Sequence, residues 1–248
     1  MENLEVLNHS KQILALARQG DFAHPGEIEA IQLAMDPIPK NKSQRLLDVG
    51  CGLGGTADYL QRHGWGEVSG IDLDNELIQY AKSHYSNVSF IQGDILQPDH
   101  YLPKTFQVIY CFSAFFSFKS QLDALFQLSR VAADDCELMI FDYSRSSATQ
   151  LDSPFPWANP TSRFQPIYLP ELKEQLLQSG WHFKKQIDIS HQFEKWYIHL
   201  LLQFDLRRDE IIAKFNEFTF EQMVAGYKQL LLSINQKEIG GIIVYAHR

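Results

Sequence analysis

Four glycines follow a short apolar run in the stretch LLDVGCGLGGTADYL, residues 46 to 60. The run is typical of a buried strand, and the residues after the glycines are typical of the first turns of a helix. A helix N-terminus leaves backbone N–H groups unpaired, and glycine allows another molecule to approach the backbone closely. A tight turn alone needs one glycine, whereas this turn has Gly50, Gly52, Gly54 and Gly55. We therefore expect the turn to bind a ligand.

Two kinds of ligand suit these glycines. Gly50, Gly52 and Gly55 match the dinucleotide fingerprint G-x-G-x-x-G, and Asp72 lies 22 positions after Gly50 at a predicted strand end, where a ribose-binding acid is expected. Gly50, Gly52 and Gly54 also form G-x-G-x-G, a turn that would hold an amino-acid moiety instead of a pyrophosphate. On this pattern alone, an NAD-dependent oxidoreductase remains open.

Three motifs in order make a family resemblance specific: DVGCGLGG from residue 48, GIDLD at 70–74 and QGDI at 92–95. Together they resemble the class I S-adenosylmethionine-dependent methyltransferases, over about residues 40 to 185. The segment HPGEIEAIQ before the first motif and a helical insertion before the last strand are similar to the branch that methylates small molecules. The resemblance implies S-adenosylmethionine as the cofactor and methyl transfer to a small-molecule acceptor. Similarity to enzymes that methylate glycine derivatives and phosphoethanolamine favours an amine; a relative that holds adenosylmethionine without turnover is the non-enzymatic alternative.

The same resemblance implies which residues bind the cofactor. Asp48 would lie near the ammonium group of the methionine portion, beside the backbone of the glycine turn. Asp72 would accept hydrogen bonds from both ribose hydroxyls, and Leu73 would pack on the adenine. Asp94 would accept from the adenine amino group, and the Ile95 N–H would donate to a ring nitrogen. The expected cofactor-binding set is Asp48, Gly50, Cys51, Gly52, Gly54, Asp72, Leu73, Asp94, Ile95, Cys111 and Phe112.

The acceptor side of the site departs from the family pattern. The stretch YCFSAFFSF, residues 110 to 118, is apolar where relatives carry more polar groups. We expect about half of its four phenylalanines to wall an acceptor pocket and the rest to lie in the core. Methyl transfer from a sulfonium depends mainly on alignment and on exclusion of water, so a base is optional. The candidate bases are His24, Tyr143 and His191, and we expect none of them to be indispensable.

The composition excludes several other functions. The chain has 248 residues, 45% of them hydrophobic, and a net charge of −8 without a lysine or arginine run, which argues against a nucleic-acid partner. No membrane-spanning stretch or signal peptide is expected. Three cysteines without a C-x-x-C pair fit the reducing cytoplasm, and the scattered histidines give no support for a metal site. The pattern does not indicate an oligomeric state.

Apolar runs that alternate with helical patterns predict an α/β fold. We expect a Rossmann-like, mostly parallel sheet of seven strands with helices on both faces and an antiparallel last strand. The predicted strands are Arg45–Val49, Glu67–Ile71, Val88–Gln92, Phe106–Cys111, Glu137–Phe141, Phe183–Ile189 and Gly241–His247. The predicted helices are Glu2–Gln19, Glu27–Met35, Thr56–His63, Asn75–His84, Ser120–Val131 and Glu171–Ser179, with one or two more in Glu194–Gln236. We expect a single domain, with a helical cover at 1–39, a core at 40–193 and 237–248, and a helical insertion at 194–236.

Overall fold

The computed structural model describes residues 2–97, 105–155 and 164–248, with side chains from residue 9 onward. Its described residues contain a sheet of seven strands, most of them rich in the apolar and β-branched residues that suit a buried pleated surface. The strands are β1 Arg45–Val49, β2 Glu67–Asp72, β3 Ser89–Gln92, β4 Phe106–Phe112, β5 Ala132–Arg145, β6 His182–Asp188 and β7 Ile239–His247.

The sheet has the order β3-β2-β1-β4-β5-β7-β6. Strands β1 to β5 pair in parallel, whereas β7 runs antiparallel to both β5 and β6. This arrangement confirms the predicted mostly parallel sheet with an antiparallel last strand. Strand β1 lies between β2 and β4, so the strand order reverses beside it, and open α/β sheets bind ligands beyond the carboxyl ends of the strands at such a point.

Helices cover both faces of the sheet, as predicted. One face packs against most of them, including both N-terminal helices and the insertion, and the other packs against α5 and α6. The helices are α1 Glu2–Arg18, α2 Glu27–Met35, α3 Gly55–Arg62, α4 Asn75–His84, α5 Gln121–Val131, α6 Leu169–Gln178, α7 Ser190–Leu206, α8 Arg208–Lys214 and α9 Glu217–Asn235. None of the helices in the described part of the chain is long and apolar enough to cross a membrane.

Strand β5 is much longer than predicted, with 14 residues instead of the five of Glu137–Phe141. Polar residues at both ends hid its length from the sequence pattern. The last residue of the strand, Arg145, is opposite Ile239 of β7, and Ala132 at its beginning is opposite Phe106 across a register shift in β4. The prediction of a short strand was therefore wrong, because pairing with neighbours, rather than apolar alternation, extends this strand.

The helical insertion also differs from its prediction. It contains three helices, and the first begins at Ser190 rather than Glu194. The Ser190 N–H donates to Asp188 Oδ1 at 2.8 Å, so the side chain of Asp188 satisfies a free donor at the helix start. The rest of the insertion is divided at two points. Arg207 separates α7 from α8, and Asn216 is the N-cap of α9, where its Oδ1 accepts from the Thr219 N–H.

The N-terminal helices and the insertion contact each other directly. Trp196 of α7 donates through Nε1 to Glu29 Oε2 at 3.0 Å, and its indole lies against Gly26, where an added Cβ would come within 2.5 Å. The linker between α1 and α2 is held to α4, because Tyr80 and Tyr85 both donate to the Asp21 carboxylate. The two segments thus form one continuous cover over the sheet.

Candidate functional site

The glycine turn after β1 has the backbone that its sequence predicts. The N–H groups of Gly50 and Cys51 both donate to the Ile71 carbonyl, at 2.8 and 3.1 Å, which fixes the turn to the end of β2. Gly52 has φ +55°, a left-handed conformation in which a side chain is strained. Gly54, at φ +92°, is the N-cap of α3. The turn therefore presents its backbone at the switch point of the sheet.

Asp48 is a buried acid beneath this turn. Only 2% of it is exposed, and Oδ2 has no hydrogen-bond partner in the described residues. Burial raises the pKa of this carboxyl to about 8, and the neighbouring Tyr110 hydroxyl partly opposes the rise. A buried carboxyl oxygen without a partner is destabilising, and a positively charged or donating ligand group at Oδ2 would offset that cost.

Asp72 lies at the end of β2 and faces the same turn. Its Oδ2 accepts from the Gly52 N–H at 2.8 Å, and its Oδ1 accepts from the Asp74 N–H at 3.0 Å. A carboxylate has about four acceptor positions, so two remain for a ligand. Two hydroxyl groups on adjacent carbons would fit them.

The residues expected around the adenine lie at the ends of β2 and β3. Leu73 is 67% exposed, which is unusual for a leucine and leaves an apolar surface next to Asp72. Ile95 is buried, and Asp94 is half-buried with Oδ1 accepting from the Leu96 N–H at 2.9 Å. The structure thus places Leu73 at the carboxyl edge of the sheet, next to Asp72.

Three of the predicted residues are buried in the core. Cys51 is buried next to Gly70, and burial raises the pKa of its thiol. Cys111 and Phe112 are neighbours in β4 and so point to opposite faces of the sheet. Phe112 packs on the cover side against His24, with ring centroids 4.6 Å apart, whereas Cys111 lies in the core formed with α5 and α6. Of these two, only the Phe112 side chain faces the side of the sheet on which Asp48 lies beside Tyr110.

The three candidate bases have different environments. His24 is buried, its ring is within hydrogen-bond distance of Thr56 Oγ1 at 3.0 Å, and burial lowers its pKa to about 3. Tyr143 is buried and shares a hydrogen bond with the Tyr197 hydroxyl at 2.5 Å, and burial raises its pKa. His191 is 71% exposed and lies 3.6 Å from Glu194 on the insertion, beyond β6 at the sheet edge. The structure does not bring the three together.

An aromatic cluster lies between the sheet and its cover, at the carboxyl ends of β4 and β5. Phe116 packs edge-to-face on both Tyr143 and Phe164, with ring centroids 5.0 and 5.4 Å apart. Phe115 packs instead on Phe118, on the side of α5 and α6. The structure divides the four phenylalanines of YCFSAFFSF evenly between cover and core. The members of this aromatic cluster are Phe112, Phe116, Phe141, Tyr143, Phe155, Phe164, Phe193, Trp196, Tyr197 and Tyr227.

Sequence reasoning missed two cations of α1. The Arg18 side chain is 2% exposed, lies 3.0 Å from Glu27, and exerts its charge on Tyr143 and Tyr197 of the aromatic cluster. The Lys11 ammonium lies over the glycine turn, 3.8 Å from the position of a Cβ added at Gly52. Both lie in a helix that the sequence predicted only as a cover. Its apolar spacing gave no signal for either role, because the facing turn is 40 residues away along the chain.

Part of the chain matches a family model. Residues 46–150, which contain β1 to β5 and the glycine turn, match the family model described as a methyltransferase domain. The whole chain is similar to larger proteins as well. It is 26% identical over 222 residues to phosphoethanolamine N-methyltransferase 3 of Arabidopsis thaliana, a match that covers 88% of this chain and 45% of that protein. The chain thus spans less than half the length of that relative.

Solved structures share the fold of this chain. Phosphoethanolamine N-methyltransferase 2 of Haemonchus contortus, in complex with phosphomonomethylethanolamine and S-adenosylhomocysteine, has a TM-score of 0.82 at 18% identity, covering 95% of this chain and 56% of that chain. The [4+2]-cyclase SpnF has a TM-score of 0.79 at 16% identity, covering 98% of this chain and 93% of that chain. The fold extends over nearly the whole chain, beyond the residues that the family model matches.

Proposed function

We propose that this chain transfers the methyl group of S-adenosylmethionine to the nitrogen of a small amine. The observation that carries the proposal is the pair of carboxylates at the glycine turn, Asp48 beneath it and Asp72 beside it. Adenosylmethionine has an ammonium group and two ribose hydroxyls, which are the groups that a buried acid and a half-occupied carboxylate bind best. The exposed Leu73 then provides an apolar surface for the adenine.

The residues present fit this cofactor. Asp48 Oδ2 is an orphaned buried acceptor, and the left-handed turn leaves the backbone at Gly52 open to a ligand. When bound, the cofactor supplies a methyl group on a sulfonium, which is a good leaving group. The chain contributes binding and alignment. Positioning of this kind accounts for about 7–11 kcal/mol of a barrier.

The acceptor would lie in the aromatic cluster. The faces of tyrosine and phenylalanine rings attract cations within about 6 Å, so a protonated or methylated amine is a suitable guest. Phe112 is the last residue of β4, and Tyr143, near the carboxyl end of β5, contacts both Phe116 and Tyr197. These rings contact each other, so the cover must open to admit the acceptor and close again to exclude water.

The side chains in and beside the aromatic cluster provide little general-base chemistry. With a pKa of about 3, His24 is neutral at pH 7 but accepts a proton poorly, and its ring is already within hydrogen-bond distance of Thr56. The raised pKa of Tyr143 keeps its phenol protonated. An amine would therefore release its proton to solvent before the cover closes and attack as the free base, and the ring faces would stabilise the ammonium that forms when the methyl group is transferred.

A second candidate function is binding of adenosylmethionine without methyl transfer. The observation in its favour is that Asp48 and Asp72 need no acceptor to bind the cofactor, whereas His24 and Tyr143 provide little base chemistry for a transfer step. An NAD-dependent oxidoreductase receives no such support. The antiparallel β7 between β5 and β6 differs from the sheet order of the dinucleotide fold.

We also propose that the whole chain acts as a single domain in the cytoplasm. The cover and the core share one hydrophobic cluster that runs from Ile13 to Tyr245. The three cysteines, all buried, are unpaired, which suits a reducing compartment.

Calorimetry and an acceptor screen test the proposed function. Titrations with S-adenosylmethionine, S-adenosylhomocysteine and NAD should give binding with the first two and none with NAD. Purified chain and S-adenosylmethionine are then incubated with ethanolamine, phosphoethanolamine and glycine derivatives, and S-adenosylhomocysteine is quantified. Binding without product for any amine would favour the second candidate, and binding of NAD alone would exclude both.

A further inference from the structure

Lys11 places a half-buried ammonium at the glycine turn. It lies on α1, is half-buried, and has no ion pair or hydrogen bond with any side chain that the structure describes. Its Nζ is 3.8 Å from the position of a Cβ added at Gly52, and the Ala23 methyl is 3.9 Å from the same point. An ammonium held over a ligand-binding backbone needs an anionic partner to offset the cost of its partial burial.

Three charged side chains lie around the turn. Asp48, Asp72 and Lys11 all act on the Cys51 thiol, the two acids raising its pKa and Lys11 lowering it. These three charges therefore surround one short stretch of backbone. The ligand of the proposed function carries the opposite set, namely an ammonium, a sulfonium and a carboxylate.

We infer that Lys11 binds the carboxylate of the cofactor's methionine portion, so that the N-terminal cover closes on the cofactor through an ion pair. The inference rests on the proposed function and assigns a recognition role to a residue of the cover. Asp48 and Lys11 then hold the two ends of the amino-acid moiety from opposite sides of the turn. Cofactor binding and closure of α1 are thereby linked, because the ion pair exists only when both are in place.

The test compares two ligands that differ in the carboxylate alone. S-Adenosylhomocysteine carries it, and S-adenosyl-3-thiopropylamine, its decarboxylated form, lacks it but keeps the amine. Lys11→Met removes the charge while it keeps chain length and helix propensity. Lys11→Arg retains a cation, and Lys82→Met on the exposed side of α4 is a matched control.

We expect Lys11→Met to raise the Kd for S-adenosylhomocysteine by about ten- to a hundredfold, the range of charge-assisted hydrogen bonds, with the Kd for the decarboxylated ligand unchanged. The Kd for S-adenosylhomocysteine should rise less in Lys11→Arg and should not change in Lys82→Met. An equal loss for both ligands, or no loss for either, would overturn the inference while leaving the proposed function intact. Failure of the wild-type chain to bind S-adenosylhomocysteine would instead refute the proposed function, and the inference with it.

Discussion

The Gly52 N–H donates to Asp72 Oδ2 at 2.8 Å, so the glycine turn and the end of the second strand hold each other in place. The bond leaves acceptor positions on Asp72 open, and it brings two of the three sequence motifs into contact. It also means that Asp72 has a structural role as well as the proposed ligand-binding role. Variants of this residue must separate the two.

Substitution of Asp72 should weaken cofactor binding in two steps. Asp72→Asn keeps one oxygen for the Gly52 N–H but loses the charge and the acceptor for the Asp74 N–H, so we expect a rise of about tenfold in the Kd for S-adenosylhomocysteine with a small loss of thermal stability. Asp72→Ala removes both acceptors and should cost more affinity and some stability. Calorimetry and thermal unfolding on the same samples measure both effects. Wild-type affinity in a folded Asp72→Ala protein would remove this residue from the site.

A side chain at Gly52 should be harmful even without a severe clash. The nearest atoms to an added Cβ are 3.8 and 3.9 Å away, which is ordinary contact, but φ is +55°. We expect Gly52→Val to lose detectable binding of S-adenosylhomocysteine, because a β-branched residue is strained there and its methyl groups occupy the ligand's space. Gly52→Ala, with the same φ penalty and less bulk, should bind weakly. Normal binding by a folded Gly52→Val protein would show that the turn does not approach the ligand.

Asp48 should couple cofactor binding to pH. Its pKa of about 8 in the free protein means that the carboxyl is mostly protonated at pH 7, whereas a bound ammonium favours the ionised form. Affinity for S-adenosylhomocysteine should therefore rise between pH 6 and 8, and binding at pH 7 should release most of one proton. Calorimetry in two buffers of different ionisation enthalpy measures that release. Asp48→Asn should bind more weakly and release none; release that persists in this variant would contradict the assignment.

Asp48 should favour cofactor binding at a cost in the stability of the ligand-free protein. Its folded pKa is raised above the unfolded value near 3.8, so its contribution to stability is full below that value and is lost as the pH rises through about 8. Asp48→Asn does not titrate, so the ligand-free variant should melt above the wild type by a margin that grows from pH 5 to pH 8. Thermal unfolding at both pH values checks this, and a margin that shrinks with pH would show that Asp48 is ionised in the free protein.

Sequence reasoning reached the parts of the structure that local pattern determines. Glycine spacing placed the turn, and apolar runs placed β1 and β2 almost to the residue, because β1 is buried after its first residue and Val68, Gly70 and Ile71 of β2 are buried. The pattern failed where pairing with distant strands decides the length of a strand, as in β5, whose C-terminal end pairs with β7 and whose first residue pairs with β4. Lys11 was missed for a related reason, since the direction of a surface lysine depends on how its helix docks.

The cover should become more protected when ligands bind. Tyr143 and Tyr197 share a hydrogen bond at 2.5 Å across the space proposed for the acceptor, so they must separate for entry. We expect amides of residues 9–35 and 190–235 to gain hydrogen-exchange protection with S-adenosylhomocysteine and acceptor, while β1 and β4 stay unchanged. Equal protection in the free and bound protein would make these helices fixed parts of the core.

Removal of each candidate base should lower the catalytic rate less than the loss of a positioned general base would. His24 is a poor base at its pKa of about 3, Tyr143 is a protonated phenol, and His191 is exposed at the far edge of the sheet. We expect His24→Ala, Tyr143→Phe and His191→Ala each to lower kcat by clearly less than the roughly 10²–10⁴-fold of a positioned base, with losses mainly in KM for the acceptor. His24→Gln, which keeps a partner for Thr56, controls for damage to the cover. A thousandfold fall in kcat with cofactor binding intact would identify that residue as the base.

The central claim is that the chain moves a methyl group to nitrogen, and transfer of isotopic label tests it most directly. The protein is incubated with S-adenosylmethionine labelled in the methyl group and with a set of small amines, and the products are identified by mass spectrometry. The account predicts label on the nitrogen of at least one amine, an equal amount of S-adenosylhomocysteine, and loss of both in Gly52→Val. Tight cofactor binding without labelled product, or label on oxygen or carbon only, would contradict it.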